Sequence, residues 1–265
     1  MAASQKPDNV AAVMKVFAIL EGLAAQPSIG LSELSQRSLT SKSTAYRFLQ
    51  TMKELGYVSQ EEESEKYALT FKLFELGGAA LEHVELIPLA NVEMRKLSEQ
   101  THEAIHLGAL DEDSQHIVYL HKYDSQFNLC MNSRVGRRSP VYSTSMGKTL
   151  LAWMDDDRVR EILANTHFIA RTRYTLTSAQ QVLDELPGIR QEGVAEDREE
   201  AELGVRCLSV PVFDRFGQAI AALSLSFPVV RYDEQKRDEY MALLFDAGRR
   251  ISSGLGFYDY PFSRS

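Results

Sequence analysis

The sequence predicts an α+β protein made of two domains, and three observations support that prediction. The chain has 265 residues, which is long for one domain and comfortable for two. Apolar residues recur at helical spacing up to about residue 55, and from about residue 103 they alternate with polar residues as in strands. Helical stretches interrupt this alternation, which is typical of a mostly antiparallel sheet packed against helices.

Three short helices are predicted before residue 56. The last of them has apolar residues at i, i+3, i+4, i+7 and i+10, and Thr40 or Ser41 can cap its N-terminus. The helix before it starts at Ser32, another capping residue type, and an earlier apolar stripe predicts the first helix. The two stripes are Ala45, Phe48, Leu49, Met52 and Leu55, and Val13, Val16, Phe17 and Leu20.

A β-hairpin is predicted next, because the strand-like residues 57–59 and 66–69 flank a polar tip. Three helices followed by a hairpin are the elements of a winged helix-turn-helix, whose recognition helix enters the DNA major groove. We therefore assign residues 1–70 to this domain. The tip, residues 61–65, contains four glutamates that phosphates would repel, so we do not expect it to follow DNA closely.

The distribution of charge supports DNA binding, although the whole chain is acidic with a net charge of −8. Residues 1–60 contain six basic and four acidic residues, net +2, while the remaining 205 residues carry −10. Residues 41–53 contain Lys42, Arg47 and Lys53 and no acid. Positive charge is thus concentrated on the predicted recognition helix, where DNA phosphates would bind. The alternative is a small helical protein-interaction domain with a solvated polar face.

Seven side chains are predicted to contact double-stranded operator DNA. Lys42 and the hydroxyl groups suit phosphates, whereas Tyr46 and Arg47 are better placed to reach base edges. The seven residues are Ser32, Ser41, Lys42, Ser43, Thr44, Tyr46 and Arg47.

Residues 71–100 are predicted to form a helical linker in two pieces, because Pro88 lacks an amide proton and would interrupt the helix. Both pieces have an apolar face that needs a partner. A second copy of the chain is the simplest partner, so we expect a homodimer or a dimer of dimers.

Residues 101–265 are predicted to form the second domain. Residues 196–200, EDREE, resemble a mostly solvated loop in which Asp197 could accept hydrogen bonds from ligand hydroxyls. Strands are expected at residues 105–109, 117–121, 129–132, 208–212 and 219–227, and helices at residues 145–153, 158–164, 179–191 and 234–254.

Two features of this domain predict a ligand site. On the strand from Ala219, large apolar residues share one face, while Ala222, Ser224 and Ser226 share the other, which suits either a polar cavity or a face covered by a helix. The segment 142–149 contains Gly-Lys-Thr but has Tyr142 where a P-loop needs glycine. It is better interpreted as a helix N-terminus, whose unpaired amides bind a carboxylate or phosphate.

Cys207 suggests an alternative function, an enzyme that uses this thiol or Asp197 on a keto acid. No histidine pattern beside Cys207 supplies a base, and a free cysteine at a strand start is more often simply packed.

The histidines lack metal-ligand spacing, two cysteines are too few for a disulfide framework, and no apolar run is long enough to span a membrane. We expect a cytoplasmic protein without metal or cofactor.

Several segments together resemble one known family. SELSQRSLTSKSTAYRFLQTMKELGYV is similar to the N-terminal domain of the IclR family of bacterial transcriptional regulators, and so are YSTSMGKTLLAW, GVRCLSVPVFDRFGQAIAALSLSFP and the final helix. Four blocks in the same order make the resemblance specific. ESEKYALTFKLFELG, IHLGALDED, RVGRRSPVYST and YDYPF resemble the family members that respond to 2-keto-3-deoxygluconate and control pectin and hexuronate catabolism.

The resemblance implies a GAF-like effector domain and a ligand-controlled repressor that is not an enzyme. A small sugar acid, 2-keto-3-deoxygluconate, would be held by amides at the helix start and by side chains around them. Relatives that bind two- and three-carbon acids have smaller residues at the positions of Ser145 and Met146. A regulator of another organic acid, or an activator, is the alternative. The implied effector residues are Ser145, Met146, Asp197, Cys207, Ser224 and Ser226.

Overall fold

Two compact units make up the chain, Met1–Val84 and Glu85–Ser265. The computed structural model describes residues 10–76, 86–111, 113, 115–131 and 133–263. Part of the predicted linker, residues 77–85, therefore lies outside the described residues. The predicted fold class is confirmed, because a helical unit with a small hairpin precedes a unit built on an antiparallel sheet.

The N-terminal unit contains the three helices and the two-stranded antiparallel hairpin that the sequence predicts. Its helices are α1 Ala11–Ala24, α2 Leu31–Arg37 and α3 Lys42–Glu54, and its strands are β1 Val58–Gln60 and β2 Tyr67–Leu69. One apolar core joins all five elements, and it consists of Ile19, Leu23, Ile29, Leu34, Ala45, Leu49, Met52, Val58 and Tyr67.

Helix α1 buries only part of the predicted face: Val16 and Leu20 pack against the core, but the other two residues of the predicted stripe do not. Ile19 and Leu23 are buried, whereas Val13 and Phe17 are 51% and 59% exposed. Most residues of α1 are apolar, so helical periodicity alone could not identify the inward face. The consequence is an apolar stripe on the surface of α1, which we call the α1 stripe and which consists of Val10, Val13, Met14 and Phe17.

A six-stranded antiparallel sheet forms the centre of the C-terminal unit. Its strands are β3 Ala104–Asp111, β4 His116–Tyr123, β5 Arg138–Pro140, β6 Ala195–Arg198, β7 Val205–Phe213 and β8 Ala219–Pro228. The order across the sheet is β5-β4-β3-β8-β7-β6. In the central register, Leu223 of β8 lies between Leu107 of β3 and Val210 of β7.

Helices cover both faces of the sheet. Helices α4 Leu86–Thr101 and α8 Arg237–Gly254 pack on one face. On the other face lie α5 Ser145–Ala152, α6 Asp156–Ala164 and α7 Ala179–Glu192. Because side chains alternate along a strand, β8 contributes Leu223, Leu225 and Phe227 to the first core and Ala222 to the second.

Two local predictions are wrong. Pro88 lies inside α4 and does not interrupt it; the described helix starts at Leu86, and amides in a first turn have no partner that a proline could remove. The strand expected at 129–132 is absent from its described part, residues 129–131, which are irregular and mostly exposed. The outer edge of β4 pairs instead with β5, which the sequence did not reveal.

The chain beyond α8 packs back on the sheet through aromatic rings. Phe262 stacks on Phe245 with ring centroids 5.6 Å apart, and it meets Trp153 edge-on at 5.7 Å. Tyr260 donates a hydrogen bond of 2.9 Å to the carbonyl of Pro211. Gly193 permits this approach, because its φ is +79° and an added Cβ would lie 2.4 Å from the Phe262 ring.

Phe262→Ala is therefore expected to lower the free energy of unfolding by about 2–4 kcal/mol, because it removes a half-buried ring from an aromatic cluster. Urea denaturation followed by circular dichroism measures the change. Phe216→Ala is the matched control: its ring is 74% exposed in the β7–β8 turn, and its loss should cost less than about 0.5 kcal/mol. Equal losses in the two variants would contradict the packing role of Phe262.

Candidate functional site

The solvent-facing side of α3 presents the residues predicted to meet DNA. Ser41 caps the helix, since its hydroxyl accepts a hydrogen bond of 3.3 Å from the Thr44 amide. Ser41, Lys42, Ser43 and Arg47 are exposed, and Tyr46 is 49% exposed. The opposite side of α3 is anchored in the core, so the exposed side chains project from a rigid helix.

Two of the seven predicted residues differ from the others. Ser32 does not cap α2, because Gly30 occupies the cap position and Ser32 is exposed one residue inside the helix. Thr44 is half-buried, and its hydroxyl lies 2.9 Å from that of Ser41. The structure thus brings Ser41, Lys42, Ser43, Tyr46 and Arg47 onto one accessible surface, and their contact with DNA remains a prediction.

The charge on this surface is unopposed. Within the described ranges, neither Lys42 nor Arg47 forms a salt bridge, and the first turn of α3 contains no acid. The hairpin tip, residues 61–65, is fully on the surface and strongly acidic. Phosphates would therefore be attracted to α3 and repelled by the tip of the wing.

All six residues predicted for the effector line one cavity of about 40 Å³ in the C-terminal unit. Ser224 and Ser226 reach it from β8, Cys207 from β7 and Asp197 from β6. Ser145 and Met146 reach it from the start of α5. Both interpretations of the polar face of β8 therefore hold in part: helices cover it at Ala222, and a cavity adjoins it at Ser224 and Ser226.

The start of α5 has the form of an anion site. Thr144 caps the helix by accepting a hydrogen bond of 3.1 Å from the Gly147 amide. The amides of Ser145 and Met146 make no hydrogen bond to any residue that the structure describes. Gly147 is required here, since an added Cβ would lie 2.1 Å from the Val141 carbonyl oxygen. Two unpaired amides and the helix dipole favour a carboxylate or phosphate.

Asp197 is the buried acid of the cavity, and the prediction of a solvated charge run at 196–200 is wrong. Asp197 is 3% exposed, and its Oδ1 accepts hydrogen bonds from the amides of Glu200 at 2.7 Å and Ala201 at 3.3 Å. Burial, together with the Glu200 carboxylate, raises the pKa of Asp197 to about 7. Glu196 is buried as well, with Arg198, Arg206 and Arg237 around its carboxylate.

A buried ion pair joins α5 to the loop after β6. Lys148 Nζ lies 2.6 Å from Glu200 and 2.8 Å from Glu185, and Lys148 is 1% exposed. The lysine of the Gly-Lys-Thr sequence is therefore enclosed by carboxylates and does not bind a phosphate. The same pair holds the loop whose amides bind Asp197.

The reactive groups near the cavity are held in inactive protonation states. Burial, followed by Asp197, raises the pKa of the Cys207 thiol far above its usual range, so the thiolate nucleophile is not formed. Burial and Lys122 lower the pKa of His106 to about 3, so its ring is neutral. His106 lies 2.7 Å from Ser133 Oγ and 3.3 Å from Ser226 Oγ, where it orients a hydroxyl of the cavity wall.

Sequence reasoning missed several lining residues, of which two matter for ligand chemistry. Ser143 is fully buried, and its hydroxyl has no hydrogen-bond partner among the described residues. Arg171 stands at the exposed rim, and its guanidinium forms no ion pair within the described part of the chain. Ser143 is hinted at by the hydroxyl run around Ser145, whereas Arg171 lies in an irregular segment without any pattern.

Comparison with known proteins settles the family. Residues 12–62 match the IclR helix-turn-helix domain, and residues 78–253 match the family described as bacterial transcriptional regulator IclR C-terminal. The chain belongs to the IclR family. It is therefore a DNA-binding transcriptional regulator, as the resemblance of its sequence segments predicted.

Three relatives illustrate this membership. The HTH-type transcriptional regulator KdgR of Escherichia coli strain K12 is 57% identical over 258 residues, covering 97% of each chain. KdgR of Dickeya chrysanthemi is also 57% identical over 258 residues, covering 97% of this chain and 84% of that protein. The crystal structure of Thermotoga maritima IclR has a TM-score of 0.77 at 30% identity, covering 92% of this chain and 98% of that one.

The enzyme hypothesis is excluded by these relatives, which are regulators with the same helix-turn-helix domain. In the described parts of this IclR-family chain, no group of three or more potential ligands is arranged to hold a metal ion. Of the helices that the structure describes, none has the length and apolar character needed to cross a bilayer.

The two thiols of the regulator are expected to react very differently. Cys130 is exposed and Cys207 is buried with a raised pKa, so Ellman's reagent should modify one thiol rapidly in the native protein and two after denaturation. Cys130→Ser should abolish the rapid phase, and Cys207→Ser should leave it unchanged. Rapid modification of both thiols in the native state would contradict the assigned burial of Cys207.

Proposed function

We propose that this regulator is a repressor that binds double-stranded operator DNA through α3 and is released by a small sugar acid, 2-keto-3-deoxygluconate. The main support is the cavity in which serine hydroxyls, the unpaired amides of α5 and Asp197 converge. The KdgR relatives at 57% identity support the choice of ligand and of target genes, those of pectin and hexuronate catabolism. A cytoplasmic location follows from this role.

The chemistry of the cavity suits a hydroxylated acid. The carboxylate would bind the amides of Ser145 and Met146, with Arg171 at the rim as counter-charge. The hydroxyl groups of the acid would bind Ser224 and Ser226, and Ser143 offers a buried hydroxyl that has no protein partner. The Met146 side chain packs toward Gly108, since a Cβ at Gly108 would lie 3.0 Å from its sulfur, so Met146 contributes mainly its amide.

The size of the cavity suggests how binding becomes a signal. A volume of about 40 Å³ has room for roughly three water molecules at about 10–15 Å³ of probe volume each, much less than a six-carbon acid requires. The walls must therefore move when the acid binds. A ligand shifts a conformational equilibrium by its difference in affinity for the two states, typically about 1–3 kcal/mol.

Binding to DNA would use two copies of α3. Lys42 and the hydroxyls of Ser41 and Ser43 would contact phosphates, and Tyr46 and Arg47 would reach base edges. Two chains related by two-fold symmetry would read a pseudo-palindromic operator, with half-sites about one helical turn, or a multiple of it, apart.

Exposed apolar residues of the N-terminal unit support assembly as a homodimer or a dimer of dimers. The α1 stripe includes Phe17 at 59% exposure, and Phe71 and Phe74 are 88% and 79% exposed near the start of the linker. Large exposed apolar side chains grouped along an element favour a protein–protein interface. A second copy of the chain could bury it.

Arg47→Ala is expected to weaken operator binding by about 1–3 kcal/mol, because a bidentate base contact discriminates by about that amount. Lys42→Ala should weaken binding to all sequences similarly and reduce the slope of log K against log salt by about one. Fluorescence anisotropy on DNA selected from a random library measures both. Glu62→Gln at the wing tip is the control and should not weaken binding; unchanged affinity in folded Arg47→Ala and Lys42→Ala would refute the assignment of α3.

Addition of 2-keto-3-deoxygluconate is expected to weaken operator binding of the wild-type protein about 5- to 150-fold, which corresponds to a coupling of about 1–3 kcal/mol. Anisotropy titrations with and without the acid measure this shift. Ser224→Ala with Ser226→Ala should reduce the response while leaving ligand-free DNA affinity unchanged. An affinity for DNA that is constant over a wide range of acid concentration would refute the proposed effector, and tighter binding would indicate the opposite sign of control.

Phe17→Glu is expected to shift the protein toward a smaller assembly, because it places a charge in the α1 stripe. Analytical ultracentrifugation at several concentrations measures the mass. Phe216→Glu, a similar change at an exposed ring elsewhere, should leave the mass unchanged. If Phe17→Glu has the mass of the wild type, the α1 stripe is not the interface.

A further inference from the structure

The cavity proposed for an acid already contains an acid of its own. Asp197 is almost completely buried and lines the cavity beside Ser145 and Ser226. In the proposed binding mode the ligand carboxylate binds the amides of Ser145 and Met146, which line the same cavity as Asp197. Two carboxylates that share a site shielded from water repel each other strongly, and one of them takes up a proton.

We propose that the acid ligand binds together with one proton, which Asp197 takes up, so that the regulator responds to the ligand less strongly as pH rises above neutrality. This inference rests on the proposed function, because it concerns the same cavity and the same class of ligand.

The hydrogen bonds of Asp197 indicate where the proton resides. Its Oδ1 accepts from two amides, those of Glu200 and Ala201, and an oxygen that accepts two amide hydrogen bonds is poorly suited to bind a proton. The proton therefore resides on Oδ2. A neutral Asp197 can then donate a hydrogen bond from Oδ2 to the ligand, whereas an ionised Asp197 can only accept.

The other charged and titratable groups around Asp197 do not take over this role. On β7 and β4, burial keeps Cys207 as a thiol and raises the pKa of Tyr119 to about 12. On β3, His106 has a pKa of about 3 and is neutral. The remaining neighbours are the ion pair Lys148–Glu200, the exposed acid Glu202, the rim residues Arg137 and Arg171, and on β6 itself the mutually paired Glu196 and Arg198.

The direction of the pH effect follows from the state of Asp197 before binding. Its pKa of about 7 means that below neutrality the carboxyl is already protonated in the ligand-free protein, so binding takes up no further proton. Above neutrality Asp197 is ionised and must acquire a proton when the acid binds. The dissociation constant should then rise by up to about tenfold for each pH unit.

Isothermal titration calorimetry of the full-length protein with 2-keto-3-deoxygluconate tests this. Titrations at pH 5.5 to 8.5, in pairs of buffers with different ionisation enthalpies, count the protons taken up. We expect uptake close to zero at pH 5.5 and approaching one at pH 8.5, with the dissociation constant about tenfold higher at pH 8.5 than at pH 7.5. Uptake that is zero throughout would overturn the inference.

Three variants separate Asp197 from its surroundings. Asp197→Asn mimics the neutral carboxyl, so its binding should be independent of pH. Glu200→Gln removes a neighbouring negative charge, so the rise of the dissociation constant should begin at a lower pH. Glu99→Gln, on the exposed side of α4 and outside the lining of the cavity, should behave as wild type. Thermal unfolding confirms that each variant is folded.

The outcomes distinguish this inference from the proposed function. Binding that is tight but independent of pH in the wild type overturns the proton uptake alone. Wild-type pH dependence in Asp197→Asn overturns the assignment to Asp197. Absence of binding at every pH overturns the proposed effector, and the inference with it.

Discussion

The alternation of side chains along β8 is the constraint on which the C-terminal unit depends. β8 lies between β3 and β7, and its register with both strands places Leu223, Leu225 and Phe227 against α4 and α8. The same register places Ser224 and Ser226 in the cavity. A slip of one residue would exchange the two faces, so burial of the leucines also fixes the position of the serines.

On the side of the sheet that bears the cavity, charged residues form a network of ion pairs and hydrogen bonds. Lys148 and Glu200 form a close buried pair, and the loop that contains Glu200 directs two amides to Asp197. Breaking such a pair leaves an uncompensated charge inside the protein, which is strongly destabilising. This network fixes β6 and the loop after it at one wall of the cavity, and in another wall the Ser143 hydroxyl has no hydrogen-bond partner among the described residues.

In the N-terminal unit, packing of apolar side chains likewise determines where the polar side chains lie. An apolar core fixes α3 from one side, and the acid-free side of the helix is left exposed with Lys42 and Arg47. The net negative charge of the chain is compatible with DNA binding because charge acts locally under salt screening. In this IclR-family regulator, the side chains proposed to contact DNA lie on the surface of a helix packed on a core, and those proposed to bind a ligand line a cavity.

Much of this architecture could be predicted from the sequence because it is encoded in local periodicity. The stripe of α3, the alternation of β8 and the hydroxyl-rich start of α5 each lie within a short window, and each was predicted correctly except for Leu55, which follows α3 and is 53% exposed. Helix α1 shows the limit of such reasoning, since a helix that is apolar on most sides has no unique inward face until its neighbours are in place.

Tertiary structure alone decided which polar residues are buried. The EDREE segment resembles a solvated loop, yet Glu196 and Asp197 are buried in β6. Two of the arginines that neutralise Glu196 come from β7 and α8, outside this segment. Arg171 reaches the cavity from an irregular segment, and Lys148 meets Glu200 across the fold. The sequence determined most of the elements, the charged helix and the two-faced strand. The partners of the buried charges are distant along the chain, and only folding brings them together.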